Sequence, residues 1–292
     1  MNNNKTKEII GPLVFLDGLR GLAAFYVMVG HARWLLWEGY SNGYRLHPDA
    51  YNSFEKILVY FFACFRYGNE AVLFFFVLSG FVIHLRYSLA LKTDNQTCKF
   101  DWIPFMKKRA RRLYPPLLLC MLITLIADML GPQLSPQILT EIPYYLKQPE
   151  LMEPSHTIQT GLGNMLFLMN SYVPVWGTNG PLWSLKYEWW FYMTYPIFWL
   201  ISKRSIMLVS MVMLGLYVLA RQVDLGVFNL VSDVLSIMLV WWLGVTLADI
   251  YTKRIPFNIH WISIFVVLLP VLIMRQASFW TPVLWESFFL AW

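Results

Sequence analysis

The sequence predicts an all-α protein, a polytopic integral membrane helical bundle of about seven to eight transmembrane helices. Three observations carry this. Of 292 residues, 58% are hydrophobic and only 14% charged, against about 25% charged in an ordinary soluble domain. Apolar runs recur along the chain at lengths near the roughly 20 residues that cross a hydrocarbon core. The alternation of short strands with amphipathic helices expected of a soluble α/β protein is missing. The net charge of +6 is gathered in a few segments, which speaks of membrane topology before nucleic acid. Long apolar spans argue against a nucleic-acid-binding role. Cys64, Cys98 and Cys120 match no metal or disulfide spacing. The chain reads as a single membrane-embedded domain over residues 1–292.

Residues 1–11 are polar, with Lys5 and Lys7, and suit a short cytoplasmic tail. The first span runs from about Pro12 to Leu36. Arg20 and His31 interrupt it, unlike the core of a cleavable signal peptide. Residues 37–56 form a loop of balanced charge with interfacial aromatics. The run Ile57–Phe65 is too short to span alone, and is either an interfacial helix or the tilted start of the next span. Span two is Ala71–Leu91, in which the small pair Ser79-Gly80 permits close helix approach. From Arg86 to Arg112 there are eight Lys or Arg against two Asp, so this segment is cytoplasmic and, two crossings earlier, so is the N-terminus. His84, at its edge, reads as interfacial.

Span three is Leu113–Leu130, with Pro115-Pro116 in its first turn. Residues 131–160 hold one Lys against three Glu and read as external. Leu162–Val175, broken by Gly, Asn and Pro, is not expected to span. Spans four to seven are Trp183–Ile201, Ser205–Ala220, Val227–Tyr251 and Ile259–Met274. A shorter apolar stretch, Phe279–Trp292, carries Glu286 and closes the sequence, which suggests either a chain incomplete at its C-terminus or an unusually short version.

The chemistry concentrates in the first span. Arg20 and His31 are eleven residues apart, about three turns plus 20°, so they share a helix face some 16 Å apart along the axis. Asp17 sits one turn before Arg20. Such groups are costly against lipid, so the stripe should face protein or a wet cavity. Two readings stay open on spacing alone: Asp17 and Arg20 pair near a surface while His31 is a hydrogen-bonded core residue, or the stripe is functional. Imidazole can take a proton or act as a nucleophile near neutral pH. Glu188 is an expensive carboxylate in an aromatic helix. It could orient His31, bind a substrate, or pair with Lys186 or an arginine. Arg109 and Arg112 lie one helical turn apart and could hold one anion in forked geometry; their alternative is anchoring to lipid headgroups. Ser79 reads as a packing residue, since no G-x-S-x-G elbow surrounds it. His47, His156 and His260 read as loop or helix-end residues. No metal-ligand spacing, Walker loop or dinucleotide fingerprint is present.

Four phrases in order resemble the bacterial membrane acyltransferase-3 family. Phe15-Leu16-Asp17-Gly18-Leu19-Arg20-Gly21-Leu22-Ala23-Ala24 followed by His31 resembles its opening motif. Leu73-Phe74-Phe75-Phe76-Val77-Leu78-Ser79-Gly80-Phe81 is similar to its second-helix phrase. Arg109-Ala110-Arg111-Arg112-Leu113-Tyr114-Pro115 resembles its R-x-x-R segment, and Trp183-Ser184-Leu185-Lys186-Tyr187-Glu188-Trp189-Trp190-Phe191-Tyr192 its W-S-L-x-x-E phrase. Trp242-Leu243-Gly244 begins a weaker fifth match. Members typically have about ten helices, more than this chain supplies.

The resemblance implies transfer of an acyl group, usually acetyl, from cytoplasmic acyl-CoA to a hydroxyl of an extracytoplasmic or lipid-linked carbohydrate. Acyl-CoA would be a donor substrate, with no permanently bound cofactor and no metal. The implied roles are catalytic for His31, Arg20 and Glu188, donor binding for Arg109 and Arg112, and support for Asp17 and Ser79. The implied location is the bacterial inner membrane, with lipids, acyl-CoA and a carbohydrate or glycolipid acceptor as partners. The alternative is a membrane transporter of a small anionic or acylated solute. Intramembrane charge suits that too, but two inverted halves are not visible.

Overall fold

The computed structural model describes residues 15–36, 39–93, 99–134, 153–222 and 229–254. The polar N-terminal tail, the expected seventh span at 259–274 and the apolar stretch 279–292 with Glu286 lie outside the described residues, as do His260 and Cys98. Among the described residues there are eight α-helices and no β-strand. They are α1 Phe15–Leu36, α2 Ser53–Ala63, α3 Gly68–Thr93, α4 Trp102–Leu134, α5 Ile158–Met165, α6 Trp183–Ser202, α7 Ile206–Gln222 and α8 Asn229–Tyr251. Three of them, α3, α4 and α8, are long and apolar enough to cross a membrane. This is an all-α membrane protein. Each of the six expected spans up to residue 251 falls largely on a described helix, α1, α3, α4, α6, α7 or α8.

The chain divides into two compact units, Met1–Asp94 with Leu243–Trp292, and Asn95–Trp242. In the first unit α1 packs along α3. Tyr26 pins the middle of α1: its hydroxyl donates to the Cys64 carbonyl and accepts from the Tyr67 amide at 3.2 Å. Gly30 lets the helix close on the same turn, because a Cβ there would lie 2.9 Å from the Phe65 carbonyl oxygen. The run around Ile57–Phe65 is a separate 11-residue helix, α2, followed by a 3-10 turn at Cys64–Arg66. Its start is fixed by a capping box. The Asn52 side chain accepts from the Phe54 and Glu55 amides, and the Glu55 carboxylate accepts from the Asn52 amide.

The last turns of α8 belong to this unit. Gly244 lies so close to α3 that a Cβ would sit 1.9 Å from the Val77 carbonyl oxygen and 2.8 Å from the Phe81 amide nitrogen. The small pair Ser79-Gly80 falls between those two contacts and is buried, so close approach is made from both helices.

In the second unit, α4 is 33 residues long and begins at Trp102. The span expected from sequence starts at Leu113, with the basic run as its preceding loop. The run is helical because Lys, Arg, Met and Ala are good helix formers and its one breaker, Pro104, sits in the first turn. Pro115 and Pro116 are therefore mid-helix. They leave the Arg111 and Arg112 carbonyls without the usual i+4 donor. One side of α4 exposes Leu118, Leu119, Leu122, Ile123, Ile126 and Met129, the surface expected to face lipid acyl chains.

The run Leu162–Val175 does not span. It forms the C-terminal half of the eight-residue α5 and an irregular segment. Trp176 ties that segment down by donating from Nε1 to the Met121 carbonyl at 2.8 Å. α6 is buried through its aromatics: Phe191 and Tyr195 each pack 5.6 Å from Trp241, and Trp189 stacks on Phe167 at 4.9 Å. Most of this aromatic phrase is therefore helix packing.

Replacing Gly244 by valine should lower stability by more than about 1–3 kcal/mol, the usual cost of overpacking, because the obstructing atoms are backbone. Thermal unfolding of the purified protein measures this, and the matching Gly18→Val change, where nothing lies within 4 Å, should cost far less.

Candidate active site

The second unit brings together three of the residues singled out from sequence. Arg109 and Arg112 stand one turn apart on α4, and Glu188 is buried on α6. The Tyr192 hydroxyl, one turn along α6, donates to the Glu188 carboxylate. The Arg109 guanidinium lies over the Phe105 and Tyr192 rings, 5.2 Å from each centroid, in the geometry of a cation–π contact. Arg112 and Arg109 both act electrostatically on Glu188. Arg109 is half-buried and Arg112 exposed, and the buried Arg109 Nε has no hydrogen-bond partner among the described residues. This is a cationic rim over a buried carboxylate.

Glu188 does not pair with Lys186. Lys186 is fully buried, and its ammonium meets Asp233 at 2.9 Å and the Ser171 hydroxyl at 3.0 Å. Ser171 also donates to Asp233, at 2.7 Å. This ionic node ties α6 and the irregular segment to the start of α8.

In the first unit, α1 carries Asp17, Arg20 and His31. The Arg20 side chain is buried, with the residue 7% exposed. Its one ionic contact among the described residues is Nη1 to Asp17 Oδ1 at 3.5 Å, and the Asp17 side chain is 74% exposed. With the carboxylate exposed, a contact of that length contributes little. The guanidinium also lies 5.1 Å from the Phe75 ring centroid. Arg20 Nε and Nη2 are buried without a hydrogen-bond partner among the described residues. Buried donors of a charged group are costly to leave unmatched. His31 is half-buried on the same helix. Ser79 is fully buried in α3.

A second cluster in this unit is not apparent from the sequence. His84, expected at an interface, has no exposed surface. Its Nε2 meets Asp249 Oδ1 at 3.0 Å. Asp249 also accepts from the Ser88 hydroxyl and from Arg254 Nη1, at 3.2 Å to Oδ1 and 3.0 Å to Oδ2. Lys92 donates to the Thr252 carbonyl at 2.7 Å. His84 and Asp249 are 165 residues apart in sequence, so no local spacing shows them. The one sequence signal is that Asp249 is a carboxylate inside an apolar span, which calls for a partner. His156, expected to be a loop residue, is paired with Asp128 at 2.9 Å.

The helices and these buried charges define a class: an all-α membrane protein with arginine, carboxylate and histidine set into apolar helices. The family model of the acyltransferase domain matches residues 13–292, and the chain belongs to the acyltransferase-3 family. It is 30% identical over 141 residues to the acyltransferase MdmB of Streptomyces mycarofaciens, a match covering 47% of this chain and 30% of that protein. The chain thus spans less than a third of that relative's length in the matched region. No solved structure matches it.

Replacing Asp249 by alanine would leave Arg254 and His84 without their shared acceptor. The expected loss is about 3–5 kcal/mol, typical of breaking a buried ion pair from one side, read as a fall in thermal stability in detergent. Asp249→Asn, which keeps the shape and part of the hydrogen bonding, should lose less.

Proposed function

We propose that this protein is an O-acyltransferase of the bacterial inner membrane. It moves an acyl group, most simply acetyl, from cytoplasmic acyl-CoA to a hydroxyl of a cell-surface or lipid-linked carbohydrate. The observation that carries this reading is Arg20: a buried guanidinium with two nitrogens unmatched among the described residues, on the same helix face as His31. Fixed donors of this kind stabilise the oxygen on which charge develops when a thioester carbonyl is attacked. In this reading the chain crosses the membrane several times with its N-terminus inside.

Arg109 and Arg112 bind the phosphates of coenzyme A, for which guanidinium groups have the right forked geometry. The buried Glu188, held by Tyr192, keeps Arg109 oriented. His31 serves the acceptor. By one route it takes the hydroxyl proton as the oxygen attacks the thioester carbon and the coenzyme A thiolate leaves. By the other, its ring nitrogen first accepts the acyl group and then passes it to the hydroxyl. A His31-containing peptide heavier by one acyl group, found after incubation with acyl-CoA alone, selects the second route; its absence during active turnover selects the first.

Two measurements test the reading. Surface glycans from cells with and without the protein should differ by the mass of one acyl group per modified residue, and identical spectra would refute it. Arg109→Ala and Arg112→Ala should each raise the acyl-CoA concentration needed for half-maximal rate by roughly ten- to a hundredfold. That is the effect of losing one charge-assisted hydrogen bond of about 1.5–3 kcal/mol.

A further inference from the structure

Asp128 lies near the C-terminal end of α4, with its side chain only 6% exposed. Its carboxylate is almost saturated. Oδ2 meets His156 Nε2 at 2.9 Å and accepts from the Thr178 amide at 3.0 Å. Oδ1 accepts from the Thr178 hydroxyl at 2.6 Å. A carboxylate only accepts, so a proton of the imidazole sits on Nε2, and Nδ1 is left for another partner. His156 makes no other hydrogen bond among the described residues, and 24% of its side chain is exposed. Its ring stands edge-on to Trp176, with centroids 5.2 Å apart at 88°. Gly177, at φ +56°, closes the other side: a Cβ there would lie 2.2 Å from Asp128 Oδ2 and 2.6 Å from His156 Nε2. Asn179 completes the corner, its amide nitrogen on the Thr124 hydroxyl at 2.9 Å.

This corner is therefore built around one imidazole held through Nε2 by Asp128, with an aromatic wall and a partly exposed ring. We propose that it is a binding subsite for the carbohydrate acceptor, in which His156 Nδ1 forms a hydrogen bond with a sugar hydroxyl and Asp128 positions the ring. The subsite rests on the acyltransferase reading. The chemistry favours a neutral polyol over the coenzyme A donor, because a phosphate placed here would meet the negative charge of Asp128. A hydroxyl donor beside an aromatic wall is what a sugar offers.

The test uses the full-length protein in lipid nanodiscs, with acetyl-CoA as donor and, as acceptor probe, the surface-glycan fraction extracted from cells lacking the protein. Initial rates are measured against each substrate for wild type, His156→Ala, and Thr178→Val as a structural control. Thr178→Val removes a bond to Asp128 but leaves the imidazole. The expected result is that His156→Ala raises the half-saturating glycan concentration roughly tenfold, the effect of one lost hydrogen bond, with the value for acetyl-CoA unchanged. Thr178→Val should change stability and not glycan saturation. Unchanged glycan saturation in His156→Ala overturns the subsite and leaves the acyltransferase reading standing. Equal effects of the two variants also overturn it, since His156 would then only tether the segment. If the glycan fraction does not stimulate acetyl-CoA consumption by wild type, the acyltransferase reading itself fails and the subsite with it.

Discussion

Charge inside an apolar chain is the constraint on which this structure depends. An ionised group taken out of water loses several kcal/mol of solvation, which only partners of good geometry offset. Among the described residues, three polar nodes meet this. Asp249 gathers His84, Ser88 and Arg254. Asp233 holds Lys186 and Ser171. Asp128 holds His156 and Thr178. In each, one carboxylate collects donors from segments distant in sequence. Helix packing without a hydrophobic driving force is weakly directional in lipid, and such bonds add direction to it.

Against these saturated nodes, the arginines stand apart. Asp249 and Asp233 have matched their charges within the fold. Arg20 retains two buried nitrogens without a partner among the described residues, and Arg33 and Arg109 retain one each. Two of them are placed against aromatic rings, Arg20 on Phe75 and Arg109 on Phe105 and Tyr192, which orients the guanidinium.

The helices are legible in the sequence because long apolar runs have few alternatives to spanning. Boundaries are less so where charge imitates a loop: the basic residues before Leu113 carry α4 back to Trp102. The one-turn spacing of Arg109 and Arg112 makes their shared face legible, as does the spacing of Arg20 and His31. Glu188 is legible as an anomaly, but its partner is not, since Tyr192 looks like one aromatic among many. The Asp249 and Asp128 nodes are hidden because their partners come from other elements, and a lone histidine gives no sign of a carboxylate 28 or 165 residues away. Gly244 is visible only as part of a weak motif, and its reason, the Val77 backbone, is purely tertiary.

The central claim is that His31 handles the acyl transfer that the buried Arg20 supports. The direct measurement is transfer of radiolabelled acetyl from acetyl-CoA to extracted surface glycan by purified wild type and His31→Ala, at matched folded protein. Wild type should incorporate label, and the variant should lose at least about a hundredfold, within the usual range for removing a general base. Incorporation by His31→Ala at the wild-type rate would contradict that role.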